Sequence, residues 1–102
     1  MSNIKVSKNV PKNMDKKHVE LTLEGELTLQ NAKELKKSIQ KNIAGHDSVN
    51  IKADNITQAD VTFIQILKSL ERHLNNKGKK ITTNIEYPYD VKTLLVNAGF
   101  EP

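Results

Sequence analysis

The chain of 102 residues has no cysteine, four glycines scattered singly, and four aromatic residues, Phe63, Tyr87, Tyr89 and Phe100. Without cysteine, disulfides, thiolate nucleophiles and cysteine-ligated metals are excluded by composition. Without a glycine cluster there is no phosphate-cradling loop. So few aromatics give no stacking platform for single-stranded nucleic acid. No apolar run approaches the roughly 20 residues that span a bilayer, and the polar start MSNIKVSKN lacks the apolar core of a secretory signal. The length has room for one ordinary domain with one core, here residues 1–102, and the expected compartment is the cytoplasm.

Charge is present in quantity but unevenly. The formal net charge is +4, from 16 basic and 12 acidic side chains. Residues 1–17 hold Lys5, Lys8, Lys12, Lys16 and Lys17 against Asp15, which already gives +4; the rest of the chain balances 11 against 11. A nucleic-acid surface needs a clustered basic groove, so none is expected. The lysine excess is read as a solvated N-terminal hairpin over residues 1–17, with the segment 12–17 as its turn.

Strand-like alternation occurs four times: Ile4/Val6, Val19/Leu21/Leu23, Val49/Ile51/Ala53 and Ile81/Thr83/Ile85. The intervening residues are polar, which predicts a sheet with one packed face, one wet face, and helices mainly on one side. Pro11, Asn13 and Asp15 mark a turn between the first two strands.

Three helices are predicted among the later strands. The first covers about residues 29–43, with Thr28 as N-cap, Ala32, Leu35, Ile39 and Ile43 on one face, and Gly45 past its end. The second covers about residues 61–75, with Asp60 as N-cap, Phe63, Ile66, Leu67, Leu70 and Leu74 inward, and Gly78 after it; it should be the best buried. The third begins at Pro88, packs Val91, Leu94, Leu95 and Ala98, and stops at Gly99 with Phe100 folding back. The order is ββαβαβα. Short strand–helix–strand links then demand parallel neighbours after the first hairpin, hence a mixed α/β sheet of four or five strands.

Catalytic chemistry finds little support. His18, His46 and His73 fall on a strand, a loop and the far end of a helix, and are expected to share no locus. His46-Asp47 reads as an exposed turn rather than a metal or base–carboxylate site. Glu24 and Glu26 bracket Gly25 like a carboxylate pair, but beside a strand end they read as solvent-facing charges. Neither an enzyme nor a cofactor or metal is expected.

Three stretches carry a family resemblance. LTLEGELTLQNAKELKKSI (residues 21–39) resembles the opening of STAS domains, the sulphate-transporter and anti-sigma-factor-antagonist fold, where an L-x-G-x-L strand end leads into an amphipathic helix. VNIKADNITQADVTFIQILKSLERHLNNKGKKITTNI (residues 49–85) resembles the family's central run, with an Asp at the head of a helix and a Gly-containing turn after it. PYDVKTLLVNAGF (residues 88–100) is similar to its last helix. The resemblance implies a SpoIIAA-like regulatory binding module, in which residues 24–28 and 57–65 face a protein partner: Glu24, Gly25, Glu26, Thr28, Gln58, Asp60, Val61, Thr62, Phe63 and Gln65.

In many members the helix start reads Asp-Ser-Ser-Gly or Asp-Thr-Ala-Gly. Here Asp60 keeps the acid, Val61 replaces the usual phosphoacceptor, Thr62 stands at the second position, and Phe63 replaces the glycine. Members with a Gln where Gln65 stands lack the first hydroxyl and are found with receptor, histidine-kinase or chemotaxis-like systems; this sequence is similar to those. The implied partner is an anti-sigma kinase-like or sensor histidine-kinase protein in bacterial signal transduction, bound by a monomer or weak homodimer. The alternative is an accessory STAS subunit of a membrane lipid or solute transport complex. Thr62 is the candidate phosphoacceptor, and no regulatory phosphorylation is expected there, because a hydroxyl one residue along is rotated about 100° around a helix.

Overall fold

The computed structural model describes residues 3–11, 17–97 and 99. Among these run β1 (Ile4–Asn9), β2 (His18–Leu27), α1 (Ala32–Ile43), β3 (Ser48–Ala59), α2 (Val61–Asn76), β4 (Lys80–Ile85) and α3 (Tyr89–Asn97). The predicted order is therefore observed. The strands form one four-stranded sheet in chain order, with β1 antiparallel to β2, and β2, β3 and β4 mutually parallel. The turn at residues 12–16 and the placement of Ala98 and Phe100 lie outside the described residues.

Alternation decides the faces. Val19, Leu21 and Leu23 of β2 and Val49, Ile51 and Ala53 of β3 are buried, and join Leu35, Ile39 and Ile43 of α1 and Phe63, Ile66, Leu67 and Leu74 of α2 in one core. Each such buried aliphatic side chain contributes about 1.5–3 kcal/mol. The opposite face keeps its polar residues partly wet and laces them across strands: Thr82 Oγ1 donates to Asn50 Oδ1 at 3.1 Å, and the His18 Nδ1 to Ser48 Oγ separation is 2.8 Å. With five buried residues α2 is the best-buried helix, against three in α1 and one in α3.

Two strands run further than alternation predicts. From Leu23 to Leu27, β2 takes four steps while β3 takes six, from Ala53 to Ala59. The register shifts twice near Gly25 (φ 101°) and Asn55 (φ 51°). Such bulges break the period of two, so the buried residues become Ala53, Ile56 and Ala59. β3 therefore leads directly to the N-cap of α2.

The helix ends and faces meet some expectations and correct others. Lys79 N–H donates to Leu74 O at 2.9 Å and Gly78 N–H to Asn75 O at 3.1 Å, with Gly78 at φ 73°, so α2 ends in a glycine C-cap of the Schellman type. Helix α1 begins later than predicted, because residues Leu29–Asn31 form a 3-10 turn, and Thr28, extended at φ −128° and ψ 173°, makes no side-chain cap. In α3, Leu95 is buried and Val91 half-buried as predicted, but Leu94 is 63 % exposed. Val91 packs against the core and Leu95 is buried, and on this helix of nine residues Leu94 is turned about 100° from Leu95.

Candidate functional site

Parallel pairing of β2 with β3 sets Glu26 opposite Gln58 and Leu27 opposite Ala59, so residues 24–28 and 57–60 finish side by side where α1 and α2 begin. One carboxylate fastens them. Asp60 Oδ1 accepts from Thr62 N–H and Oδ2 accepts from Leu29 N–H, both at 3.0 Å. It therefore caps α2 and the 3-10 turn before α1 together, replacing the cap expected from Thr28. An anion satisfies the free N–H groups of a helix start and is favoured by its dipole, more strongly than a neutral hydroxyl.

The flanking segment is equally tied. Asn31 Nδ2 donates to Glu26 O at 2.9 Å and to Glu26 Oε2 at 3.2 Å, while Asn55 Nδ2 donates to Glu24 Oε2 at 3.2 Å. Glu26 N–H donates to Asn3 O at 3.0 Å. A Cβ on Gly25 would meet Asn3 O at 2.1 Å, so the strand can pass β1 here only without a side chain.

The predicted residues separate by depth. Gln58 and Gln65 are exposed, and Glu24, Glu26, Thr28, Asp60, Val61 and Thr62 are half-buried. Phe63 is 0 % exposed and is a correction: of the apolar pair Val61 and Phe63 expected near the partner surface, only Val61 reaches it. The Phe63 ring meets Tyr87 edge-on, with centroids 6.2 Å apart at 70°, and burial pushes the Tyr87 phenol up to about 12.

Sequence reading missed Leu29, Asn31 and Asn55. Leu29 is 68 % exposed and, with Ala32, Thr62, Gln65 and Ile66, lines a mainly apolar hollow of about 390 Å³ between the two helix starts. The available signal for Asn55 was its residue type, since asparagine tolerates positive φ better than other side chains do. Leu29 gave none, because its exposure depends on the 3-10 turn.

The histidines fall on three separate elements, as expected. His18 at the start of β2, His46 in the turn before β3 and His73 near the end of α2 all lie at the end of the fold opposite the Asp60 site. Even so, no three His, Asp or Glu side chains are grouped to hold a metal ion among the described residues. Nor, among those residues, is any helix long and apolar enough to cross a membrane.

No curated protein matches the chain. Several solved structures share its fold. An antisigma-factor antagonist STAS domain from Rhodobacter sphaeroides aligns at a TM-score of 0.63 and 17 % identity, over 82 % of this chain and 86 % of that one. The unphosphorylated anti-sigma factor antagonist SpoIIAA aligns at 0.60 and 10 % identity, over 94 % of this chain and all of that one. Mglu aligns at 0.54 and 17 % identity, over 74 % of this chain but 18 % of that much longer one. At these identities the likeness is one of fold. The family model described as "Mlab, STAS domain" matches residues 11–101, nearly the whole sequence, and the chain therefore belongs to the STAS family.

Proposed function

We propose that this STAS domain is a non-enzymatic regulatory module, anti-sigma-factor-antagonist-like, that binds a protein partner in bacterial signal transduction within the cytoplasm. The single observation that carries the reading is the Asp60 bridge, which makes two segments distant in sequence into one surface. A surface already rigid loses little freedom on binding, so more of the contact energy is expressed as affinity. The partner-facing residues are Glu24, Glu26, Thr28, Gln58, Val61, Thr62 and Gln65, with Leu29 added from the structure. Phe63, Gly25 and Asp60 support them from behind. Their mixture of apolar Leu29 and Val61 with Glu24 and Glu26 fits a partner patch that is apolar at its centre and basic at its rim, and the partner in this reading is an anti-sigma kinase-like or sensor histidine-kinase protein.

Thr62 is not a regulatory phosphoacceptor in this reading. It is half-buried in the first turn, and both carboxylate oxygens of Asp60 are engaged beside it. A phosphate would add about −1.5 to −2 charges next to that carboxylate.

The experiment is affinity capture from the source cell on immobilised wild-type protein and on Val61→Asp. Wild type should retain a kinase-like or receptor-like protein that Val61→Asp loses; if neither retains one, or both retain it equally, the reading fails. The second reading is an accessory STAS subunit of a membrane lipid or solute transport complex, docking through the same surface. Recovery of a transport ATPase instead of a kinase would select it.

A further inference from the structure

Helices α1 and α2 lie side by side, and the groove between them continues well beyond the Asp60 site. Past Leu29, Thr62 and Gln65 it passes Ile39, Ile66 and Leu70, with Lys36, Gln40, Ser69 and His73 on its walls. It ends along Ile43, Ala44 and Leu74 between His73, Lys77 and Lys79. From Thr62 to Lys77 the path along α2 is about 22 Å, the length of a helix of about 15 residues.

Its charge is of one sign. Lys36, His73, Lys77 and Lys79 line it, and no carboxylate does. The neighbouring acid on α2, Glu71, lies with Lys68 in a separate hollow toward β4. The charge is graded as well, with Lys77 and Lys79 beside the His73 imidazole at the end where α2 finishes and an apolar stretch with only Lys36 toward the end where it begins.

We propose that this groove seats an amphipathic helix of the protein partner, with its apolar stripe over Ile39, Ile66 and Leu70 and an acidic segment against His73, Lys77 and Lys79. This deepens the protein-binding reading above and rests on it. Acidic residues are most stable in the first turn of a helix, where the dipole favours them. The partner helix therefore starts at the lysine end and runs antiparallel to α1 and α2. A flat anionic membrane would use the lysines but leave the apolar floor uncovered, whereas an amphipathic helix uses both.

The test uses the full chain, isotope-labelled for amide chemical-shift mapping, and a synthetic amphipathic peptide of about 15 residues with acids in its first two turns. A second peptide carries those acids in its last turns, and a third carries lysines in their place. The first peptide should shift the amides of Ile66, Ser69, His73 and Lys77 and bind more tightly than the second. The double variant Lys77→Glu/Lys79→Glu should weaken it by about tenfold and bind the lysine peptide instead, since reversing close charge pairs exchanges repulsion for attraction. Lys36→Glu, on the other helix, should weaken it in the same direction, and Lys68→Glu, in the separate hollow toward β4, should leave it within about twofold.

Equal binding of the acidic peptide to wild type and double variant would overturn the proposal. So would binding by mixed phosphatidylserine–phosphatidylcholine vesicles without binding by the peptide. If Val61→Asp loses the cellular partner while the groove ignores the peptide, the groove assignment is wrong and the protein-binding reading stands.

Discussion

The two ends of the sheet are built to opposite rules. Where β2, β3 and β4 finish and the helices start stand Glu24, Glu26, Asp54, Asp60, Glu86 and Asp90. Their carboxylates are drawn into hydrogen bonds at Glu24, Glu26 and Asp60. Where the same strands begin and the helices finish stand Lys17, Lys41, Lys77, Lys79 and Lys80 with the three histidines, and with Asp47 beside Lys17 at 3.5 Å. Parallel strand–helix units produce this segregation, because every strand exit shares one end and every helix exit the other. Acids then sit at helix starts and cations at helix finishes, each on the favourable side of the dipole. The lesson is that a stretch with no net charge, residues 18–102, can be strongly polar in space, with a tightly bonded acidic end and an open basic one.

Substitutions should break the acidic end far more readily than the basic one. The largest effect is expected from Phe63→Ala, which empties a fully buried site under the helix start and should cost about 3–5 kcal/mol in urea unfolding. Next is Gly25→Ala, at about 2 kcal/mol or more, since the added methyl collides with Asn3 O at a φ of 101°. Gly78→Ala at the basic end meets no atom within 4 Å and should cost about 1 kcal/mol from its φ of 73° alone. A Gly78 effect as large as the Gly25 effect would contradict the contrast.

Asp60→Ala should cost about 1–2 kcal/mol and, in amide exchange, should loosen Leu29 and Thr62 together, because one carboxylate holds both. Exchange that changes at Thr62 alone would mean that the bridge to Leu29 carries no weight. A smaller effect should appear in alkali. The Tyr87 phenol rises from 10.0 to about 12 through burial, so the unfolded chain sheds that proton first. Stability from this group is complete below pH 10 and is lost as pH climbs through about 12. Tyr87→Phe should flatten that limb of the pH profile, read by urea midpoints. Smallest of all, Lys77→Glu should move stability by no more than about 0.5 kcal/mol, since an exposed lysine has little packing to lose.

Much of this could be read from residue order. The alternation of Val19, Leu21 and Leu23 and of Val49, Ile51 and Ala53 fixed the packed face, because burial on one side imposes a period of two. Asp60 announced itself as a cap by standing just before an apolar helical stripe. What stayed hidden required partners distant in the chain. That Asp60 also holds Leu29 depends on a 31-residue separation closed by the β2–β3 pairing. The bulges near Gly25 and Asn55 arise from a mismatch between two strands, which neither shows alone. Phe63 fitted both a surface patch and a core stripe on spacing, and only packing against Tyr87 decides for the core. The common end of the three histidines follows from topology and from nothing local.

Strand β1 has a consequence for solubility. It covers β2 from Ile4 opposite Gly25 to Asn9 opposite Glu20, and β2 carries Val19, Leu21, Leu23 and Leu27, all fully buried. Were β1 to peel away, it would bare a hydrophobic strand with unpaired N–H and C=O groups, a template for pairing with another chain. In its place β1 offers the outside an edge studded with Lys5 and Lys8, whose charges discourage such pairing. The close passage of Asn3 over Gly25 holds that guard at one end, so a bulkier residue at position 25 threatens aggregation as well as stability.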